Sequence, residues 1–121
     1  MIKTTIGTVV SARNVLAQLS EQMLPIKQSY MLAKLIKAVD EELKIYHGER
    51  IKLCKKYGKL SNDGKKYDIT NPEGFGGEYN ELTAQEISFD LEPVCIDGVL
   101  ISANDILKVE PFITITEVKN E

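Results

Sequence analysis

Residues 25–57 read PIKQSYMLAKLIKAVDEELKIYHGERIKLCKKY, and this stretch decides the fold. Leu32, Ile36, Val39, Leu43, Tyr46, Arg50, Leu53 and Tyr57 recur at alternating spacings of four and three. That is a heptad seam with one charged member, Arg50. A helix over the whole stretch is about 50 Å long. A compact chain of this size has a radius of gyration of only about 13–14 Å. Such a helix overhangs a monomer's body and leaves its seam without cover. Either His47-Gly48 breaks it into a helical hairpin, or another copy of the chain buries the seam. A glycine costs only about 1 kcal/mol in a helix interior, and neither Pro nor Asn stands beside Gly48. The expectation is therefore one continuous helix and a homo-oligomer, with Leu32, Ile36, Val39, Leu43, Tyr46, Leu53 and Tyr57 at the interface.

On the N-terminal side, residues 2–10 predict a strand anchored by Ile2, Ile6, Val9 and Val10, with Thr4, Thr5 and Thr8 supplying β-propensity. Ser11 is then the expected N-cap of a short helix carrying Ala12, Val15, Leu16 and Leu19. That helix ends near Met23-Leu24, because Pro25 restricts the residue before it and suits the first position of the next helix.

On the C-terminal side, Tyr57-Gly58 is a stop, with Lys55 and Lys56 complementing the helix dipole. Ser61-Asn62-Asp63-Gly64 marks the turn of a small hairpin or loop. Asn71-Pro72-Glu73 signals a helix start, with Phe75, Tyr79 and Leu82 on one face, although Gly74, Gly76 and Gly77 confine the expected helix to 77–85. Ile87, Phe89 and Leu91 alternate with polar residues as a half-buried strand. Val94-Cys95-Ile96, Asp97-Gly98 and Val99-Leu100-Ile101 predict a tight hairpin with a type I′ turn. Ser102 caps a short helix through Val109, Pro111 ends it, and Ile113 and Ile115 alternate with Thr114 and Thr116 in a last strand. The fold class is α+β: a long amphipathic central helix with short helices and short antiparallel strands and hairpins, oligomeric through the helix. One domain spans 1–121, with an N-terminal strand plus basic helical part over 1–58 and an acidic part with short strands and helices over 59–121.

Across its 121 residues the formal net charge of −3 hides an asymmetry. Residues 1–66 carry 13 Lys/Arg against 6 Asp/Glu, a net of +7, and residues 67–121 carry 2 against 12, a net of −10. Opposite charges at the two ends of one chain favour docking of one half on the other, within a protomer or between neighbours. No run of apolar residues is long enough for a transmembrane helix, and the first ten residues do not resemble a secretory signal. Cys54 and Cys95 form no CxxC, and His47 is the only histidine. Neither a disulfide framework nor a metal site is indicated, and no cofactor is expected.

No chemical motif indicates an enzyme. The Gly74-Phe75-Gly76-Gly77 run lacks both the dinucleotide spacing and a following Gly-Lys-Ser/Thr. Asp90, Glu92 and Asp97 read as a solvated acidic face rather than as a catalytic pair. His47 and Cys54, seven residues apart on one helix, lie about 10 Å from one another along its axis, too far for a nucleophile and its base.

The basic half offers a better candidate. Lys27, Tyr30, Lys34, Lys37 and Lys44 fall in one sector of the long helix, opposite the seam. A cationic face with an aromatic ring in it can bind a phosphate-bearing ligand or an acidic partner. The bland alternative is a solvated face that keeps the helix soluble. Arg50 either fixes register by meeting Glu49 or an acid of the second half, or meets phosphate or carboxylate in a pocket. Nucleic acid is not indicated, because Arg13 and Arg50 are the only arginines and the whole chain is acidic.

Leu24-Pro25-Ile26-Lys27, Tyr30-Met31-Leu32-Ala33-Lys34-Leu35, Arg50-Ile51-Lys52-Leu53 with Lys56-Tyr57-Gly58, Phe75-Gly76-Gly77-Glu78, and Ile101 to Leu107 running on to Glu110-Pro111-Phe112-Ile113 carry a family resemblance. Across nearly the whole chain they resemble a family of small proteins encoded by bacteriophages and prophages of Gram-positive bacteria. The resemblance implies a phage setting, in the cytoplasm of the host cell or in the virion. It implies a non-enzymatic host-defence antagonist or a virion structural or assembly component; an inhibitor acting by direct contact with a host protein is a third class. The leading expectation is sequestration of a small anionic, nucleotide-like signal, with Lys27, Tyr30, Lys34 and Arg50 as contacts.

Overall fold

Thr5 decides where the first strand stops. Its side chain accepts a hydrogen bond from the backbone N–H of Thr8 at 3.3 Å, so the chain turns into a helix at Ile6. The computed structural model describes residues 1–96 and 98–115. Strand β1 (Ile2–Thr5) leads directly into α1 (Ile6–Ser20). The strand expected over 2–10 is therefore four residues long, and Ser11 lies inside α1 rather than capping it. The helix wins because Val9, Ala12, Val15, Leu16 and Leu19 form one buried stripe at helical spacing. It ends at Ser20, short of Met23-Leu24.

Helix α2 (Ile26–Tyr57) runs unbroken through Gly48, with Pro25 at its N-cap position. Its length is about 48 Å. Leu32, Leu35, Val39, Leu43 and Tyr46 are buried in one core with the apolar stripe of α1. The hairpin of β2 (Gly58–Leu60) and β3 (Tyr67–Ile69) and the helix α3 (Pro72–Thr83) pack against the C-terminal part of α2, and α3 also touches α1. The chain itself covers part of the seam: Leu32, Val39, Leu43 and Tyr46 are buried, and Ile36, Arg50, Leu53 and Tyr57 are half-buried.

The β2–β3 hairpin turns at Ser61-Asn62-Asp63-Gly64, where Gly64 has a φ of 72°. The Lys65 backbone N–H and the Ser61 hydroxyl both donate to Asp63, and the Ser61 hydroxyl, first, holds its carboxyl below the usual range. Asn71 caps α3 by accepting from the Gly74 N–H at 3.2 Å, and Pro72 opens the helix. The three glycines do not confine α3 to 77–85. Cap and proline start it five residues earlier, and Gly74 sits under the ring of Tyr57, where a side chain would not fit.

Strand β4 (Glu86–Phe89) pairs antiparallel with β1, Ile2 opposite Phe89 and Thr4 opposite Ile87. Strand β5 (Val94–Ile96) does not form the expected hairpin with residues 99–101. It pairs in parallel with β6 (Ile113–Ile115), so among the described residues one of the three two-stranded sheets is parallel. The side chain of Gln22 takes the place of a second strand. Its amide donates to the Leu100 carbonyl at 3.0 Å and accepts from the Leu100 N–H at 3.1 Å, leaving those backbone groups nothing to gain from β5. Asp97 of the expected turn, and Thr116 of the expected last strand, lie outside the described residues. Helix α4 (Ala103–Val109) starts at Ser102, whose hydroxyl accepts from the Asp105 N–H at 3.1 Å, and packs on α1. Phe89, Val94, Ile96, Val109 and Phe112 complete the core.

Candidate functional site

The solvent side of α2 carries Lys27, Lys34, Lys37, Lys44, Lys52 and Lys55 within one sector, spread over about 42 Å, and all six are exposed. Glu41 is the one acid among them. Among the described residues only Lys52 has an ion pair, with its neighbour Glu49 at 3.0 Å. Among the described residues the acidic half forms no ion pair with these six lysines. Among the described residues the two halves are joined by Lys56 with Glu78 at 3.1 Å and by the Met1 amino group with Glu92 at 2.9 Å. Arg13 is withdrawn from the cationic set, because its guanidinium holds Asp40 of α2 through Nε and Nη2.

One part of this face is concave. Where β4 ends, Phe89, Asp90 and Leu91 meet Tyr30, Ala33, Lys34, Lys37, Ala38 and Glu41 of α2 around a groove of about 630 Å³. Its floor is apolar: Phe89 is buried and Leu91 half-buried. Its rim carries two lysines, Lys34 and Lys37, and two acids, Glu41 and Asp90. The Lys34 ammonium stands 5.1 Å from the centre of the Tyr30 ring, which is 61% exposed. Volumes of this order suit a small ligand. An exposed ring beside two ammonium groups offers stacking and anion pairing together, and Glu41 and Asp90 can accept from the amino groups of a heterocycle.

The four expected contacts do not converge. Tyr30 and Lys34 share the groove. Lys27 lines a separate, smaller one of about 270 Å³ with Gln28, Met31, Pro93, Val94 and Cys95. Arg50 is about 30 Å from Tyr30 along α2 and on the opposite side of the helix. There it lies beside Tyr46, whose pKa it opposes from rising, and it has no ion pair among the described residues. Glu49, one expected partner, is taken by Lys52. Lys37, of the same helix sector, belongs to the groove as well. The sequence does not place Phe89, Asp90 and Leu91 there, because alternation shows that Phe89 points inward but not which helix it meets.

The remaining candidates stand apart. The Gly74-Phe75-Gly76-Gly77 run is helical within α3 rather than a loop. His47 is exposed with its ring edge-on to Tyr46 at 5.1 Å, and Cys54 is buried. Glu92 binds the amino terminus. Among the described residues no group of three or more His, Cys, Asp and Glu side chains is placed to hold a metal ion, and no helix is long and apolar enough to cross a membrane.

Fold and site together define an α+β domain organised on one long helix, with a groove on that helix that brings Tyr30, Lys34 and Lys37 together. Comparison with protein-family models, with curated proteins and with solved structures finds no match.

Proposed function

We propose that the protein works by binding rather than by catalysis, and that its ligand is a small anionic, nucleotide-like molecule held in the groove between α2 and the end of β4. The observation that carries this reading is the Tyr30 ring, exposed at the groove with the Lys34 ammonium over it and an apolar floor behind. A base or other flat heterocycle stacks on the ring, and phosphate meets Lys34 and Lys37. Each base–aromatic contact of this kind contributes about 1–3 kcal/mol. The contact set is Tyr30, Lys34 and Lys37; Lys27, in its separate groove, and Arg50 have no part in it. The resemblance to phage and prophage proteins supplies a setting, removal of a nucleotide immune signal in an infected host.

Calorimetry against a panel of mono-, di- and cyclic nucleotides tests the proposal. Micromolar binding is expected for at least one, weakened tenfold or more by Tyr30→Ala and by Lys34→Glu and unchanged by Arg50→Ala. No binding tighter than millimolar across the panel overturns it.

A further inference from the structure

Two helices of this chain carry the same spacing with opposite charge. On α2, Lys44, Gly48 and Lys52 follow one another at intervals of four; on α3, Glu73, Gly77 and Glu81 do the same. All six residues are exposed. A Cβ added at Gly48 or at Gly77 meets nothing within 4 Å, so neither glycine is required by packing inside the protomer. Each nonetheless costs its helix about 1 kcal/mol relative to alanine. Bare backbone at the midpoint of a helix face permits close approach by another chain.

The two faces do not meet within one protomer. There α2 and α3 touch through Tyr46 with Tyr79 and Lys56 with Glu78, and Tyr46 and Tyr79 lie about half a turn round from Gly48 and Gly77 on their respective helices. Among the described residues Lys44, Glu73 and Glu81 have no ion pair, and Lys52 has only Glu49. Ile45 and Ile51 flank Gly48 while 62% and 41% exposed, which leaves apolar area for a partner to cover.

We propose that α2 of one copy receives α3 of a second copy, glycine against glycine, with Lys44 and Lys52 facing Glu73 and Glu81. Charge selects this occupant. A second α2 would bring two lysine faces together, whereas α3 presents carboxylates at matching intervals. The charges are symmetric about each glycine, so they meet whichever way the helices run. The contact is heterologous, and its closure into a pair, ring or chain follows from the angle between copies. Tyr30 is about 27 Å from Gly48 along the helix, while Glu41, at the groove's near end, is three residues from Lys44. This is a different surface from the seam, where Leu32, Val39, Leu43 and Tyr46 are buried within the protomer.

Sedimentation velocity and equilibrium of the full chain test the proposal. Average mass is expected to rise with concentration at about 0.05 M salt and to fall towards the monomer's as salt screens the pairs. The variant Lys44→Glu/Lys52→Glu and the variant Glu73→Lys/Glu81→Lys are each expected to be monomeric under the same conditions. Mixed one to one they are expected to associate again, because the first keeps its α3 face and the second its α2 face. Circular dichroism and melting of both variants, expected to show folded chains melting within a few degrees of the wild type, since the four positions are exposed and only the Lys52–Glu49 pair and the first-turn charge of Glu73 are lost, separate loss of contact from loss of fold. A wild-type monomer at every concentration in low salt overturns the proposal, as does association that survives both charge reversals or a mixture that stays monomeric.

Discussion

The phenolic oxygens of Tyr46 and Tyr79 lie 2.6 Å apart and tie α2 to α3. Tyr46 is 4% exposed, so its hydroxyl needs a partner inside the protein, and Tyr79, with Phe75 stacked on it at 5.6 Å, supplies one. Burial pushes the Tyr46 pKa up to about 12, with the Tyr79 hydroxyl adding to the rise and Arg50 opposing it. The folded chain therefore keeps a proton that the unfolded chain releases near pH 10. Stability from this group is complete below that pH and is lost as pH climbs to about 12. The loss is on the order of 3 kcal/mol. Tyr46→Phe removes the titrating group and leaves the Tyr79 hydroxyl unpaired. It is expected to cost about 1–2 kcal/mol at neutral pH and to flatten the alkaline decline. Urea midpoints of both proteins through the alkaline range check this, and parallel curves would refute it.

The start of α1 gives a sharper contrast between two similar residues. Thr5 makes the cap bond to Thr8, whereas Ser11 is an exposed residue inside the helix. Thr5→Ala is expected to destabilise the fold by about 1 kcal/mol. Ser11→Ala is expected to leave it unchanged or to raise it by a few tenths, because alanine is the better helix former. Thermal melts of the two single variants decide between Thr5 and Ser11 as the cap.

That case shows where the sequence is readable and where it is not. The apolar rhythm from Leu32 to Tyr57 is long enough to define a helix without help, and α2 is continuous through Gly48. Residues 6–10 are not: Ile6, Val9 and Val10 fit a strand as well as a helix, and Thr8 raises β-propensity while its N–H serves the cap. The deciding partner is distant, since β4 offers only Glu86–Phe89 for pairing and the stripe of α1 has a helix waiting for it. Residues 99–101 fail for a similar reason. Val99 and Ile101 pack half-buried on the core, but the backbone of Leu100 is satisfied by Gln22, a residue 78 positions away. In the candidate site, Tyr30, Lys34 and Lys37 were legible as one helix face, while the groove's other wall, Phe89 to Leu91, depends on how β4 crosses α2. Arg50 was legible as an anomaly in the seam, yet its distance from Tyr30 follows only from helix continuity.

The glycines of α3 are not equivalent. A Cβ on Gly74 would stand 2.5 Å from Cε1 of Tyr57 and 2.8 Å from the Asn71 side chain that caps the helix. Gly74→Ala is therefore expected to displace the Tyr57 ring or the cap and to cost about 1–3 kcal/mol. A Cβ on Gly76 meets nothing within 4 Å. Gly76→Ala is expected to stabilise by roughly 0.5–1 kcal/mol through helix propensity. Denaturant titrations of the two variants should move in opposite directions. Equal losses would mean that α3 tolerates no side chain on either side, contrary to its packing.

The Arg13–Asp40 pair joins α1 to α2 as a fork, with Nε and Nη2 each donating to one carboxylate oxygen. Both side chains are partly exposed, 31% and 47%, so solvent screens the attraction and the coupling is expected at about 0.5–1 kcal/mol. The geometry should matter as much as the charge. Arg13→Lys keeps the cation but cannot present two parallel N–H groups, and it is expected to lose most of the coupling. A double-mutant cycle of Arg13→Lys and Arg13→Ala against Asp40→Asn measures it. Because this pair spends Arg13 on the α1–α2 contact, the cations left free on the outer face of α2 are lysines. Arg13→Ala should accordingly leave nucleotide binding in the Tyr30 groove unchanged while lowering stability, and a matching loss of both would place Arg13 in the site after all.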